Sequence, residues 1–171
     1  MKKTDISVLS KEDTIDLIGR QWMLITAGSQ CGFNTMTASW GGIGYLWNRP
    51  VAFVFVRPER YTHEFIEQSN HMTLSFYDES YRKALQTCGT KSGRDTDKVK
   101  AAGLTPLELM PEAITFAESR LTLVGRKLFK CAMKETDFLD QEVLHRWYND
   151  QPGGSLHDIY VVEIESVFCK E

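Results

Sequence analysis

The run VAFVFV at residues 51–56 limits the possible folds more than any other stretch of the chain. It holds six apolar residues, β-branched or aromatic apart from one alanine, and Pro58 follows closely. Such a run has no polar side for a surface helix and suits a strand covered on both faces. Proline has no N–H for a sheet ladder and stops it. A buried strand needs neighbours, and the chain supplies them. WMLITAG (22–28) is a second apolar run, GSQCG (28–32) is a turn, and FNTMTASW (33–40) alternates, so a hairpin is expected. HMTLSFYDE (71–79) alternates with Met72, Leu74 and Phe76 on one face. HDIYVVEIESVF (157–168) sends Tyr160, Val162 and Ile164 inward. From Ala117 to Met133 the chain is long and β-rich, with a bend or bulge expected at Gly125.

Helical spacing fills the intervals. KEDTIDLIGRQ (11–21) is expected to start at Ser10, and YTHEFIEQSN (61–70) and SYRKALQTCG (80–89) follow. SGRDTDKVKAAGLTP (92–106) carries Ser92 and Asp95 at capping-box spacing and Gly103 as a stop. FLDQEVLHRWYND (138–150) is helical and QPGGS (151–155) is a loop. Six or seven strands without regular strand–helix alternation predict one domain over residues 1–171, an antiparallel barrel with helices packed outside.

Charge and motif content exclude several functions. Lys plus Arg number 20 against 23 for Asp plus Glu, a net charge of −3, which leaves no broad basic surface for nucleic acid or an anionic membrane. The apolar runs fall far short of the ~18–20 residues of a membrane span, and MKKTDISVLSKED has no signal-peptide core, so a cytoplasmic location is expected. Cys31, Cys88, Cys131 and Cys169 form no CxxC, the four histidines form no HExxH, and no metal site is expected. GGIGYL (41–46) lacks the third glycine of a dinucleotide fingerprint, and CGTKSGRD (88–95) does not match a phosphate loop of the Walker type.

The strand VAFVFV delivers Arg57, Arg60, Tyr61 and Thr62 to the first turn of a helix, which is an anion site in outline. Lys91, Ser92 and Arg94 offer a second polar turn. His157 opens the last strand and is the candidate histidine for ligand contact. In FNTMTASW, Thr35, Thr37 and Ser39 alternate with Met36, Ala38 and Trp40. The hydroxyl row reads either as the wet face of an edge strand or as a polar rail along a ligand.

Taken in order, NTMTASW, RPERYTHEFI, CGTKSGRDTDKVKAAGLT and RKLFK followed by HDIYVVEI resemble the flavin reductase-like family, in its flavoredoxin-like branch, over about residues 15–168. The resemblance implies a mainly-β fold with peripheral helices, a six-stranded antiparallel split β-barrel, paired as a homodimer with tightly bound FMN near the interface. It implies that Asn34, Thr35, Met36, Thr37, Ser39 and Trp40 line the flavin ring and ribityl chain. Arg57, Tyr61 and Thr62 would take the phosphate, and Cys88, Gly89, Lys91, Ser92 and Asp95 would form a loop closing over the cofactor. His157 would stand near it. Where glycine commonly follows IYV in the last strand, this chain has Val162, expected to narrow the space over the ring. The implied activity is that of an FMN-dependent oxidoreductase. NADH or NADPH, as a transient co-substrate, reduces the flavin, which passes electrons to free flavin, ferric iron or a protein partner. A flavoredoxin-like electron carrier that oxidises no nicotinamide, and a non-catalytic FMN-binding protein, stand beside it.

Overall fold

VAFVFV lies in a strand that begins two residues earlier, at Arg49, and has a partner on each side. The computed structural model describes residues 1–149 and 154–170. In chain order the strands are β1 (Lys2–Thr4), β2 (Met23–Ser29), β3 (Gly32–Ala38), β4 (Gly41–Leu46), β5 (Arg49–Val56), β6 (His71–Phe76), β7 (Pro106–Met110), β8 (Ala113–Phe116), β9 (Leu121–Ala132) and β10 (Asp158–Cys169). The helices are α1 (Tyr61–Gln68), α2 (Arg82–Thr90), α3 (Lys98–Ala101) and α4 (Gln141–Leu144).

One antiparallel sheet runs in the order β3-β2-β6-β9-β10-β5-β4, and β7 and β8 form a separate ribbon. The twelve-residue strands β9 and β10 pair along their whole length, from Leu121–Cys169 to Ala132–Asp158. Beyond them the sheet divides. β6 continues it beside residues 121–126 of β9, whereas β5 pairs with residues 158–163 of β10 and β1 with residues 167–169. Two register shifts bend the long pair, one between Val161 and Val162 and one between Ile164 and Ser166. The result is the expected mainly-β fold with peripheral helices, an open split barrel.

The core follows from the strand patterns. Met23, Ile25 and Ala27 of β2 enter the barrel with Met72, Leu74 and Phe76 of β6 and Tyr160, Val162 and Ile164 of β10. Leu24, on the other face of β2, packs under α2 with Leu85, Cys88 and Phe116. Cover on both faces explains why β2 reads as a continuous apolar run. The second face of β6 is polar yet buried. The Thr73 hydroxyl donates to the Ile114 carbonyl, and Ser75, Thr115, Ser119 and Thr122 share a hydroxyl network beneath β8.

Gly125, paired with Ile164, stands at the bent stretch as expected, and its reason is a close approach. A Cβ there would lie 2.9 Å from Cγ2 of Val162. Val162 is fully buried inside the barrel against this glycine. It borders none of the cavities described below and so narrows none of them. Strand alternation sends it inward with Tyr160 and Ile164.

Other local expectations change. GGIGYL is strand β4, joined to β5 by a two-residue turn in which Trp47 and Asn48 have φ of 52° and 56°. Phe53 of β5 lies across Gly42 and Gly44, which have no side chain to oppose it. Residues 11–21 do not form one helix from Ser10. A 3-10 turn covers Ile6–Lys11, Asp13 caps the next turn by accepting from the amides of Ile15 and Asp16, and a π-helical turn spans Asp16–Gln21. Gly19 weakens a longer helix there. Between 92 and 106 only α3 is helical. Its cap is Asp97, accepting from the Lys100 amide, and Ser92 instead accepts from the Arg94 amide. Gly103 ends it with φ of 68°. The stretch from Ala117 is a turn before β9. In 138–150 the helical part is α4, capped by Asp140, and a π-helical turn at His145–Asn149. Of the loop expected at 151–155, residues 151–153 lie outside the described residues. Among the described residues no helix is long and apolar enough to cross a membrane.

Candidate functional site

The end of β5, the start of α1 and the start of β10 meet at one edge of the barrel, and a set of ion pairs fixes their spacing. Asp158 of β10 accepts from Lys130 at 2.9 Å and lies 2.8 Å from Nε2 of His63 in α1. Lys130 also reaches Glu67 of α1 at 2.8 Å, and the Tyr160 hydroxyl donates to Glu67 at 2.6 Å. Arg60, immediately before α1, and His157, immediately before β10, are thereby held on either side of a cavity of about 180 Å³.

Met36, Thr37, Ser39, Trp40, Phe55, Arg57, Arg60 and His157 line this cavity. Trp40 meets Trp147 edge-on at 5.4 Å between ring centres and lies 5.3 Å from the His157 ring. His157 is 8% exposed, and its Nδ1 is 2.9 Å from the Tyr148 hydroxyl. Burial, reinforced by the charge of Arg57 and opposed by Glu59, pushes the His157 imidazolium down to about 4. The ring is therefore neutral near pH 7, an aromatic wall and not a cation.

Arg60 also borders a second cavity of about 160 Å³, with Glu59, Tyr61, Gly89, Lys91, Ser92 and Lys98. Lys98 is 3% exposed, and its ammonium reaches only the carbonyls of Cys88 and Lys91, each at 3.4 Å. Burial, then the charge of Arg60, lowers it to about 8 against a small opposing effect of Cys88. The Arg60 guanidinium is lowered as well, chiefly by burial. Among the described residues neither cation has a carboxylate within ion-pair distance. Two partly desolvated positive charges beside one cavity, offset by Glu59 at its border and not by a direct ion pair, favour an anion.

The sequence-predicted residues divide accordingly. Met36, Thr37, Ser39, Trp40, Arg57 and His157 border the first cavity; Tyr61, Gly89, Lys91 and Ser92 border the second. Arg57 is already engaged, donating to the Trp147 carbonyl at 3.1 Å and lying 3.9 Å from Glu59. Thr62 is buried and accepts from Asn34 at 2.8 Å, while Asn34 and Tyr61 border a third, larger groove. Thr35 lies inside, 2.8 Å from the Thr26 hydroxyl. Cys88 is on the buried face of α2, its thiol pushed up to about 11 by burial, and Asp95 is exposed and borders none of these cavities. The hydroxyl row therefore splits. Thr35 bonds across the hairpin, Thr37 donates to the Leu85 carbonyl of α2, and Ser39 has no side-chain partner among the described residues. The cavity meets the end of the strand, so Met36 and Trp40 border it together with Thr37 and Ser39.

Lys98 escaped the sequence reading, and Arg60 entered only in the outline of the anion site. Nothing local marks Lys98 as buried, because its burial follows from α3 packing beside α2. The arrangement contains no paired nucleophile and base, and no cluster of three metal-ligating side chains is present among the described residues. It can hold a planar ring between aromatic and thioether walls with a phosphate at Arg60 and Lys98.

No curated protein sequence matches the chain. Among solved structures it is similar to flavoredoxin of Desulfovibrio vulgaris (Miyazaki F), at 20% identity and a TM-score of 0.67, covering 88% of this chain and 69% of that one. It is similar to nitrilotriacetate monooxygenase component B from Bacillus cereus, at 16% identity and 0.68, covering 98% and 78%. A third similarity is to an FMN-binding domain of a flavin reductase-like enzyme from Shewanella baltica OS155, at 15% identity and 0.66, covering 98% and 76%. At these identities the likeness is one of fold. The family model for the flavin reductase like domain matches residues 15–171, nearly the whole chain, and the chain belongs to that family.

Proposed function

We propose that the protein is an FMN-binding oxidoreductase of the NAD(P)H-dependent flavin reductase type, passing electrons to free flavin, ferric iron or a protein partner. The observation that carries this reading is the pair Arg60 and buried Lys98, neither within ion-pair distance of a carboxylate among the described residues, beside a cavity that adjoins the one lined by Trp40, Phe55 and His157. When bound, FMN supplies the hydride-accepting ring, so little acid–base chemistry is asked of the protein. Arg60 and Lys98 bind the phosphate, and the Ser39 hydroxyl and neighbouring backbone orient the ring edge. Neutral His157 and the two tryptophans limit water at its exposed side.

The purified protein is expected to be yellow or to take up added FMN, and anaerobic NADH or NADPH is expected to bleach the flavin band. A colourless protein that binds no FMN overturns the reading, and a band that persists with both nicotinamides assigns an electron carrier.

We also propose a homodimer. Paired positions Phe53 and Val161 share the outer sheet face with Phe129, next to exposed Trp47, and Phe55 carries this apolar surface to the cavity wall. A second copy seated there buries aromatic surface and closes the cavity mouth. Sedimentation is expected to show twice the chain mass, and Phe129→Glu, at a half-exposed position, is expected to shift the protein to monomer. A monomeric wild type overturns the dimer.

A further inference from the structure

We propose that the cavity between the first turn of α2 and the π-helical turn Asp16–Gln21 binds a free basic amino acid, a ligand with an α-carboxylate, an α-ammonium and a second cation on its side chain. It is independent of the flavin site: no residue lining it borders any of the three cavities described above.

The cavity is about 580 Å³, within the range of about 300–1,000 Å³ that small-ligand sites use. Its charged groups fall into two sets. Arg120 and Asp16 are committed to the fold. Arg120 donates to both carboxylate oxygens of Glu12, at 2.8 and 2.9 Å, and to the Gln21 side chain at 2.9 Å, and Gln21 donates to Asp16 at 2.7 Å. Arg82, Asp78 and Glu79 are not. The Arg82 guanidinium lies over the Trp22 ring at 4.1 Å and gives Nη2 to the Arg20 carbonyl, while its Nη1 is buried with no hydrogen-bond partner among the described residues. Trp22 keeps its place at φ 69° and ψ 167°, a region that residues with side chains rarely adopt, so the indole platform is imposed by the surrounding fold. A buried guanidinium donor calls for an acceptor, and a small turn on the indole presents Nη1 to a carboxylate in the cavity. Asp78 and Glu79 are exposed, and among the described residues their side chains make no hydrogen bond or ion pair. An open cation beside two open carboxylates selects a ligand of both signs. A simple anion would meet Asp78 and Glu79, and a simple amine would leave Nη1 of Arg82 unmet. The balance of charge chooses among zwitterions. Arg20, Arg82 and Arg120 stand against Asp16, Asp78, Glu79 and the Glu12 that Arg120 holds, which leaves one negative charge. Arginine or lysine carries one net positive charge and complements it, whereas glutamate repeats the sign.

L-arginine is titrated into the purified protein by calorimetry, with agmatine, which lacks the carboxylate, Nα-acetyl-L-arginine, which lacks the ammonium, and L-glutamate as comparisons. L-arginine is expected to bind with a Kd below about 1 mM, and each of the other three at least about tenfold more weakly. Arg82→Gln is expected to weaken L-arginine binding at least about tenfold, and so, separately, is the double variant Asp78→Asn with Glu79→Gln. The second variant changes only exposed side chains that make no bond in the fold, so it tests the site even where loss of Arg82 from the Trp22 platform disturbs folding, which thermal melts report. No binding of L-arginine, agmatine or L-glutamate binding as tightly, or an affinity that survives in folded variants overturns the proposal. The FMN titrations are decided separately, so failure of this site leaves the flavin reading standing, and absence of FMN binding leaves this site to be judged by L-arginine alone.

Discussion

Arg60→Ala is expected to weaken FMN binding by about tenfold to a hundredfold, since a charged hydrogen bond contributes about 1.5–3 kcal/mol. Arg57→Ala is expected to cost less, because Arg57 already spends one nitrogen on the Trp147 carbonyl and sits near Glu59. Equal losses in the two variants would place the phosphate at both arginines, and no loss at Arg60 would remove it from the second cavity. Lys98 adds a pH signature. In the free protein its ammonium loses its proton near 8, chiefly through burial. A bound phosphate favours the protonated form, and its own second ionisation, near about 6, is complete before this window. FMN affinity is therefore expected to be highest between about pH 6 and 8 and to fall above that window, by at most about tenfold per pH unit for one linked proton. The stability of the flavin-free protein carries the opposite sign. The folded pKa lies below the unfolded value of 10.5, so the unfolded state holds more protons between about 8 and 10.5, and stability attributable to Lys98 rises with pH there. Lys98→Met is expected to flatten both dependences relative to wild type. Titrations at pH 7, 8 and 9 that give one affinity would exclude Lys98 from the phosphate site.

Gly125→Val is expected to cost about 1–3 kcal/mol of stability, or ~3–10 °C in Tm. The Cβ would meet Val162 Cγ2 at 2.9 Å and Val162 Cβ at 3.2 Å inside a closed core, leaving no solvent side to relax toward. The overlap is specific to one neighbour, so Val162→Ala is expected to restore much of the loss in the double variant. Thermal melts of the four proteins test this as a cycle. Additive losses would show that Gly125 is needed for its backbone and not for the room it leaves. The same contact explains how valine stands in β10 without touching the ligand cavities: glycine on β9 supplies the space inside the barrel.

The strands legible in the sequence were those whose burial shows in their own residues. β2 is almost wholly apolar because both its faces are covered, β5 sets Ala52, Val54 and Val56 into the barrel and Phe53 and Phe55 on a half-buried outer face, and β6 and β10 alternate about the barrel interior. β4 was not legible. Three glycines in six residues lower strand propensity, and the strand exists because β5 offers a ladder and Phe53 covers the open positions. The helix expected over 92–106 was also over-extended, because Ser92 and Asp95 match a capping pattern that Asp97 fulfils five residues later. In the site, the segments were legible and the pairing of charges was not. Arg57, Arg60, Thr62 and Asn34 all lie on the stretches that resemble the family, yet distant residues decide which remain free. The Trp147 carbonyl takes Arg57, Asn34 takes Thr62, and Thr26 takes Thr35.

By itself the sequence determined a mainly-β chain, its bend at Gly125, the family it resembles and the three segments that border the cavities, since apolar patterning and local turn chemistry act over a few residues. Only the tertiary structure decided that Arg60 and Lys98, 38 positions apart, share one cavity, with no carboxylate within ion-pair distance of either among the described residues. Burial and ion pairing depend on which elements pack together, and no local pattern in the chain records that.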